Sequence, residues 1–284
     1  MKVIVISDIK SKEESIIPYG LNLAKHLQRE VLFVHVVDPR VQQGVPSAVA
    51  DSSSVTPDTK MTQGEIIEKE ILQSEQELET YLSYEISRLN YPLRWDLDLS
   101  IGSIENRMTD LAADYPGSLF LLSKEPDNYI FDSQKETIDI SKTFNGGCLF
   151  VSPGEKFVPY RSVLIPSVFS KNEEKWIGKI HDFLSRFRPV INMLGRPEHF
   201  ADEEMSALLE IDQLFPKATV NYKVLDKGHF DEEFIDYAEM IDPELIIIME
   251  EKVGFWRSLF KKELIRKLME TNDSPVLYYS RNSI

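Results

Sequence analysis

The sequence has a single cysteine, Cys148, among its 284 residues. One thiol excludes a disulfide within the chain, and it is typical of proteins that work in a reducing compartment. Cys148 lies inside a short apolar run, where a buried thiol behaves as a small inert hydrophobic group. The sequence therefore predicts a cytoplasmic protein in which Cys148 has no chemical role.

Long hydrophobic runs and basic residues are also scarce. No apolar segment approaches the ~20 residues that cross a bilayer as a helix, and the apolar run after Met1 is too short for a signal peptide. The chain has 32 Lys and Arg against 47 Asp and Glu, which gives a formal net charge of -15. Because such a field repels nucleic acids and anionic lipid surfaces, we expect neither as a partner.

Segments of the first half of the chain recur in the second half in the same order. Residues 3–14, VIVISDIKSKEE, align without a gap with residues 163–174, VLIPSVFSKNEE. Residues 102–123 align in the same way with residues 228–249, and the segments NGGCLFVSP and NDSPVLYYS then close the two halves. Three matches in one order indicate an internal duplication.

Each half alternates strand and helix patterns. The predicted strands are apolar on successive residues, as in EVLFVHVV at 30–37 and ELIIIM at 244–249, which is typical of a parallel sheet covered by helices on both faces. Five such strands with helical crossovers form a doubly wound sheet. We therefore predict an α/β fold of two tandem, doubly wound, five-stranded parallel sheets. The aperiodic segment SPGEKFVPYR separates the expected domains at residues 1–153 and 160–284.

A polar stretch at residues 40–64, rich in Ser, Thr and Pro, occurs only in the first half. It is either a tolerated insertion or a lid over a ligand. The pattern that follows predicts a long helix over residues 65–90, with its acidic residues in solvent. Apolar residues recur in this helix near helical spacing at Ile67, Ile71, Leu78 and Leu82.

The opening segment, MKVIVISDIKSKEESIIPYGLNLAKHLQREVLFVHVVDP, resembles the start of universal stress proteins. The segment GSIENRMTDLAADYPGSLFLLS at 102–123 is similar to their third helix and fourth strand. The resemblance covers nearly the whole chain as a tandem of two such domains. Members of that family that bind ATP usually carry an acidic residue after the first strand and a hydrophobic residue near the end of the second. They also carry a Gly-x2-Gly-x9-Gly-Ser/Thr motif after the fourth strand.

In the first domain, this family pattern falls on residues that keep only part of an ATP site. Asp8 and Val36 stand where the resemblance implies the adenine and ribose contacts. The motif positions are Ser123, Pro126, Glu136 and Thr137, at the family spacing but without a glycine. Glycines matter there because they let backbone amides approach the phosphates closely. The candidate cofactor-binding residues are Asp8, Val36, Gly102, Ser123 and Thr137.

The second domain keeps even less of the family's ATP-binding pattern. Val168 replaces the acidic residue, and the motif positions are Glu250, Val253, Glu263 and Leu264. Glu136 and Glu263 are expected in the first turn of a helix, where a carboxylate is itself favourable by about 0.3–1 kcal/mol. A phosphate at the same place would meet a like charge. We therefore expect that the usual ATP site is lost, and that no cofactor is needed.

Two functions from different classes remain open. One is a non-enzymatic stress-response module that acts through protein contacts or through a small ligand other than ATP. The other is an adenine-nucleotide sensor that uses the first domain, with at most slow hydrolysis. No catalytic or metal-binding residue is predicted, because the histidines are scattered without metal spacing. They are His26, His35, His181, His199 and His229.

Two further features concern partners. Phe255, Trp256 and Phe260 lie among basic residues in GFWRSLFKK and either form an interface or fill the former nucleotide pocket. Universal stress proteins tend to dimerise through their last strand, so the resemblance implies that the closing strands of the two halves, in GCLFVSP and SPVLYYS, pair inside the chain and make the tandem a built-in dimer. A protein partner or self-association into a homo-oligomer is the remaining expectation.

Overall fold

The structure is a computed structural model that describes residues 1–6, 15–37, 63–125, 139, 141, 146–167, 173–195, 212–225, 230–249 and 262–279. Its strands are β1 (Lys2–Ile6), β2 (Glu30–Val37), β3 (Trp95–Ile101), β4 (Leu119–Ser123), β5 (Gly147–Val151), β6 (Ser162–Pro166), β7 (Val190–Gly195), β8 (Thr219–Val224), β9 (Leu245–Met249) and β10 (Val276–Tyr279). Its longer helices are α1 (Ile17–Leu27), α2 (Gln63–Arg88), α3 (Ile104–Asp114), α4 (Glu173–Leu184), α5 (Phe230–Ile241) and α6 (Lys262–Thr271). The strands predicted at residues 30–37 and 244–249 are present as β2 and β9, with ends that differ from the prediction by at most one residue.

Hydrogen bonds join the strands into one sheet in the order β3-β2-β1-β4-β5-β10-β9-β6-β7-β8. Neighbouring strands are parallel within each half. The central pair, β5 and β10, is antiparallel, with Cys148 opposite Tyr278 and Phe150 opposite Val276. The two predicted five-stranded sheets are therefore joined edge to edge, and the predicted pairing of the closing strands inside the chain is confirmed.

Helices cover both faces of the sheet, which explains the strands without polar alternation. Alternate side chains of a strand point to opposite faces, so Val3 and Val5 pack in one core and Ile4 and Ile6 in the other. The first core also receives residues of α1, α2 and α4, and the second core receives residues of α3, α5 and α6. The predicted doubly wound α/β class is confirmed. Among the described helices, none is both long and apolar enough to span a bilayer.

The long helix α2 begins two residues before its predicted start. Leu78 and Leu82 are buried on its inner face, as predicted, and Ile71 is half-buried. The side chain of Ile67 lies outside the described residues, as does nearly all of the polar stretch at 40–64. Between residues 136 and 144, only Asp139 and Ser141 are described, and both have helical backbone.

The segment between the two halves contributes to the core, which its aperiodic sequence did not predict. Tyr160 is fully buried, and its hydroxyl lies 2.7 Å from the hydroxyl of Tyr19 in α1. The ring of Phe157 packs edge-on against Tyr19, with ring centroids 5.4 Å apart. Phe187, which follows α4, stacks on His26 at 4.5 Å and contacts Tyr160 at 4.5 Å. This aromatic cluster connects α1 of the first half with α4 of the second.

Candidate functional site

The carboxyl ends of β1, β2 and β4 meet at one edge of the sheet, where the predicted nucleotide contacts fall. Val36 is the penultimate residue of β2 and is 8% exposed, and Ser123 is the last residue of β4. Strand β1 lies between them and ends at Ile6. Asp8 and Thr137 lie outside the described residues. The structure thus brings Val36 and Ser123 to the same edge, two strands apart.

Gly102 directly follows β3 at this edge. Its backbone amide donates a hydrogen bond to the carbonyl oxygen of Val37, at 3.1 Å. Its φ of +146° is a conformation that favours glycine, and no described atom lies within 4 Å of the place where a Cβ would stand. Helix α3 begins beside it, capped by Ser103, whose Oγ accepts from the amide of Asn106 at 3.3 Å. Among the described residues nothing fills the space beside Gly102, and its role as a ligand contact stays a prediction.

The hydroxyl of Ser123 is already used inside the protein. Its Oγ donates to the carbonyl oxygen of Glu125 at 2.8 Å and accepts from the amide of Glu125 at 3.2 Å. A serine has one O–H proton, so this hydroxyl offers a ligand only acceptor capacity. A phosphate needs donors. Ser123 can contact a phosphate only after the turn at Glu125 opens.

Lys124 follows Ser123 and is 2% exposed. Its Nζ donates to the carbonyl oxygens of Asn272 and Ser274, each at 2.6 Å. These carbonyls come directly after α6, whose last turn has no basic residue of its own, and a cation is favourable at a helix C-terminus. Burial lowers the pKa of Lys124 to about 8, and the neighbouring carboxylate of Glu155 acts in the opposite direction.

Sequence reasoning missed Lys124. The available signal was a lysine placed directly after an apolar strand, at the start of the segment where the phosphate motif was sought. Its ammonium group is bound to main-chain carbonyls of the second half of the chain. The one cation described after β4 therefore points away from the edge where the nucleotide contacts were predicted.

A cavity of about 370 Å³ lies beside Lys124, between the segment after β5 and the loops that precede β9 and β10. Four carboxylate residues line it, namely Glu155, Asp242, Glu244 and Asp273. Burial raises the pKa of Glu155, whose carboxylate accepts from the amide of Ser152 at 3.1 Å. Each like-charge contact at 4 Å costs an anion about 1 kcal/mol even in water. This cavity therefore repels phosphate.

In the second half, one predicted motif position belongs to the core. Leu264 lies in α6, is 2% exposed and packs with the buried residues on that face of the sheet. The side chain of Glu263 lies outside the described residues, and so do Val168, Glu250 and Val253. No donor is available to a phosphate from Leu264.

The described residues offer little for catalysis. In the described ranges, no group of three or more His, Cys, Asp or Glu is placed to hold a metal ion. Cys148 is fully buried, as predicted, and burial raises the pKa of its thiol. His181 lies beside the exposed carboxylate of Asp182, at 3.4 Å. His199, His229 and the cluster of Phe255, Trp256 and Phe260 fall outside the described residues.

Comparison with known proteins establishes the fold. No protein-family profile and no curated protein matches the sequence. A universal stress protein from Archaeoglobus fulgidus DSM 4304 superposes with a TM-score of 0.66 over 98% of this chain and 96% of that chain, at 10% identity. A candidate universal stress protein from Pseudomonas aeruginosa UCBPP-PA14 gives a TM-score of 0.58 over 99% of this chain and 94% of that chain, also at 10% identity. The chain thus has the α/β fold of universal stress proteins, as its sequence resemblance implied.

The same architecture occurs in another setting. The cytoplasmic domain of a prokaryotic cation chloride cotransporter superposes with a TM-score of 0.50 over 100% of this chain and 96% of that chain, at 12% identity. One fold can host unrelated functions. The function of this chain must therefore be argued from its site.

Proposed function

We propose that this protein is a non-catalytic stress-response module of the universal stress protein type. It works in the cytoplasm, through contacts with other proteins or through a small ligand other than ATP. The observation that carries the proposal is that the polar side chains at the end of β4 are already hydrogen-bonded within the protein. The hydroxyl of Ser123 and the ammonium of Lys124 both donate to main-chain carbonyls of the protein itself.

A nucleotide site after β4 would need free donors and close approach of the backbone. Phosphate is usually held by backbone amides in a glycine-rich turn at a helix N-terminus. The segment from Ser123 to Thr137 has no glycine, and the cavity on the other side of Lys124 is lined by carboxylates. Both features disfavour a triphosphate, and they support loss of the usual ATP site.

Protein contacts are the proposed mode of action. The paired edges of β5 and β10 are occupied within the chain, so a second copy or another protein must bind at a different surface. The net charge of -15 favours a partner that is not a nucleic acid. No enzymatic step is assigned to any residue.

The test is isothermal titration of the purified protein with ATP, ADP and AMP, with and without Mg²⁺. We expect no binding that depends on Asp8. Binding that is present in the wild type and abolished by Asp8→Ala would contradict the proposal. A matched control is Asp96→Ala, which removes an exposed carboxylate from β3.

The second candidate function is an adenine-nucleotide sensor that uses the first half of the chain. The open space at Gly102, next to the end of β2, favours it. In that case Gly102→Val would weaken nucleotide binding as Asp8→Ala does, because the new side chain would occupy this space. Hydrolysis would be slow or absent.

A further inference from the structure

A second and larger cavity, of about 980 Å³, has none of the predicted nucleotide-binding residues in its lining. It is enclosed by the C-terminal ends of α1 and α4 and by the segment that precedes β8. None of its lining residues is shared with the acidic cavity beside Lys124. Because α1 belongs to the first half and α4 to the second, the cavity is built by both halves together.

The charge of this cavity is opposite to that of the chain. Arg29, Arg186, Arg188 and Lys217 line it, and Asp182 is the one carboxylate among its described lining residues. The chain as a whole has a net charge of -15. The C-termini of α1 and α4 add only about half a negative charge each, so the helix ends do not neutralise four permanent cations.

The three arginines of this cavity form no close ion pair within the part of the chain that the structure describes. No described carboxylate lies within ion-pair distance of the guanidinium groups of Arg29, Arg186 or Arg188. Arg29 is half-buried, and its Nη2 donates to the sulfur of Met1 at 3.6 Å. Burial lowers the pKa of Arg29 and the charge of Arg186 lowers it further, whereas Tyr279 and Asp182 act in the opposite direction. A half-buried guanidinium beside a like charge is costly unless an anion offsets it.

The walls of the cavity suit an organic molecule. Leu214, Pro216 and Ala218, which are not buried, add apolar surface to its lining. A volume of about 980 Å³ is within the range of small-molecule sites, which combine apolar walls with a few placed polar groups. The planar fork of arginine matches phosphate and carboxylate in a bidentate geometry.

We propose that this cavity binds a small organic polyanion, with two or more phosphate or carboxylate groups, between Arg29 of the first half and Arg186 and Arg188 of the second. Such a ligand bridges the two halves at the aromatic cluster. His26 and Phe187 of that cluster are adjacent to the cavity residues, and Nε2 of His26 lies 3.3 Å from the carbonyl oxygen of Arg186. The site is independent of the proposed function, because the predicted nucleotide contact Asp8 precedes α1 in the chain, whereas this cavity lies at the C-terminal end of α1.

The test uses tripolyphosphate and citrate as probes, titrated calorimetrically at low ionic strength. The wild type is compared with the double variant Arg186→Gln/Arg188→Gln, whose replaced side chains are exposed and therefore dispensable for folding. The control is Arg266→Gln/Lys267→Gln, which removes two positive charges from the exposed side of α6. Circular dichroism checks that all three proteins are folded.

The wild type and the control are expected to bind at least one probe. The cavity variant is expected to bind the same probe at least about tenfold more weakly, because its charge-assisted hydrogen bonds are lost. The preferred probe then separates polyphosphates from polycarboxylates. Absence of binding of both probes to the wild type at millimolar concentration would overturn the proposal. Equal binding by the cavity variant and the control would overturn it as well. Neither outcome affects the test of Asp8, which keeps the two proposals distinct.

Discussion

Nζ of Lys124 donates a hydrogen bond of 2.6 Å to the carbonyl oxygen of Asn272, 148 residues later in the chain. The bond joins the end of β4 in the first half to the end of α6 in the second. A second bond of the same length reaches Ser274. Lys124 thus supplies the positive charge that the last turn of α6 lacks, and it links the halves on the side where the phosphate motif was expected.

Replacement of Lys124 by methionine should destabilise the protein. Methionine keeps most of the volume of the side chain but leaves the carbonyls of Asn272 and Ser274 without their donor. Unsatisfied buried polar groups cost about 1–3 kcal/mol. Urea unfolding at pH 7 measures the change. Lys267→Met, at an exposed position of α6, is the control, and equal stability of the two variants would contradict the role of Lys124.

The pH dependence of stability should also depend on Lys124. Burial lowers the pKa of Lys124 from 10.5 to about 8 in the folded protein, so between these values the unfolded chain binds more protons than the native one. Stability from this group therefore rises with pH across that window and is lost as pH falls through about 8. The free energy of unfolding of the wild type, relative to Lys124→Met, should increase between about pH 8 and pH 10. A flat difference across that range would show that the pKa of Lys124 is not lowered.

A methyl group at position 147 should weaken the pairing of β5 with β10. A Cβ there would lie 2.8 Å from the ring of Tyr279, which is largely buried and is the direct partner of Gly147 in β10. Overpacking of this kind costs about 1–3 kcal/mol. Gly178→Ala in α4 is the control, because no atom lies within 4 Å of its Cβ position among the described residues and alanine favours helix. Thermal unfolding should show a loss for Gly147→Ala and no loss for Gly178→Ala.

The hydroxyl pair of Tyr19 and Tyr160 should show energetic coupling. Both rings are buried, and the oxygens are 2.7 Å apart. Each single change to phenylalanine leaves one buried hydroxyl without its partner, whereas the double change removes both. The double variant should therefore lose less stability than the two single variants together, by about 1 kcal/mol. Additive losses would mean that the hydroxyl pair does not hold α1 to the segment between the two halves.

The fold was predictable because its signals are local and repeated. Continuous apolar runs such as Leu245–Met249 are buried on both faces, and a parallel sheet produces just that pattern. The pairing of β5 with β10 was predictable from the family resemblance, because universal stress proteins tend to dimerise through their last strand. The role of Tyr160 was not, because an isolated aromatic residue in an aperiodic linker has no period that would predict burial.

The candidate site was less predictable for a physical reason. The sequence showed that glycine is missing after β4, but a missing residue does not say what the remaining side chains contact. The bonds of Lys124 and the turn at Ser123 depend on tertiary contacts, in one case 148 residues apart. The cationic cavity was hidden for the same reason, since Arg29 and Arg186 are distant in sequence and the net charge of the whole chain is negative.

The measurement that tests the central claim most directly is the melting temperature of Arg186→Gln/Arg188→Gln with and without millimolar ATP and Mg²⁺. In this variant the cavity keeps only Arg29 and Lys217 of its four cations, so its binding of polyanions is weakened, and a response that depends on Asp8 identifies a nucleotide site of the usual kind. A ligand at 100 times its dissociation constant stabilises a fold by about 2.7 kcal/mol, which is readily detected. We predict an unchanged melting temperature. A rise that Asp8→Ala abolishes would contradict the account and identify the protein as a nucleotide sensor.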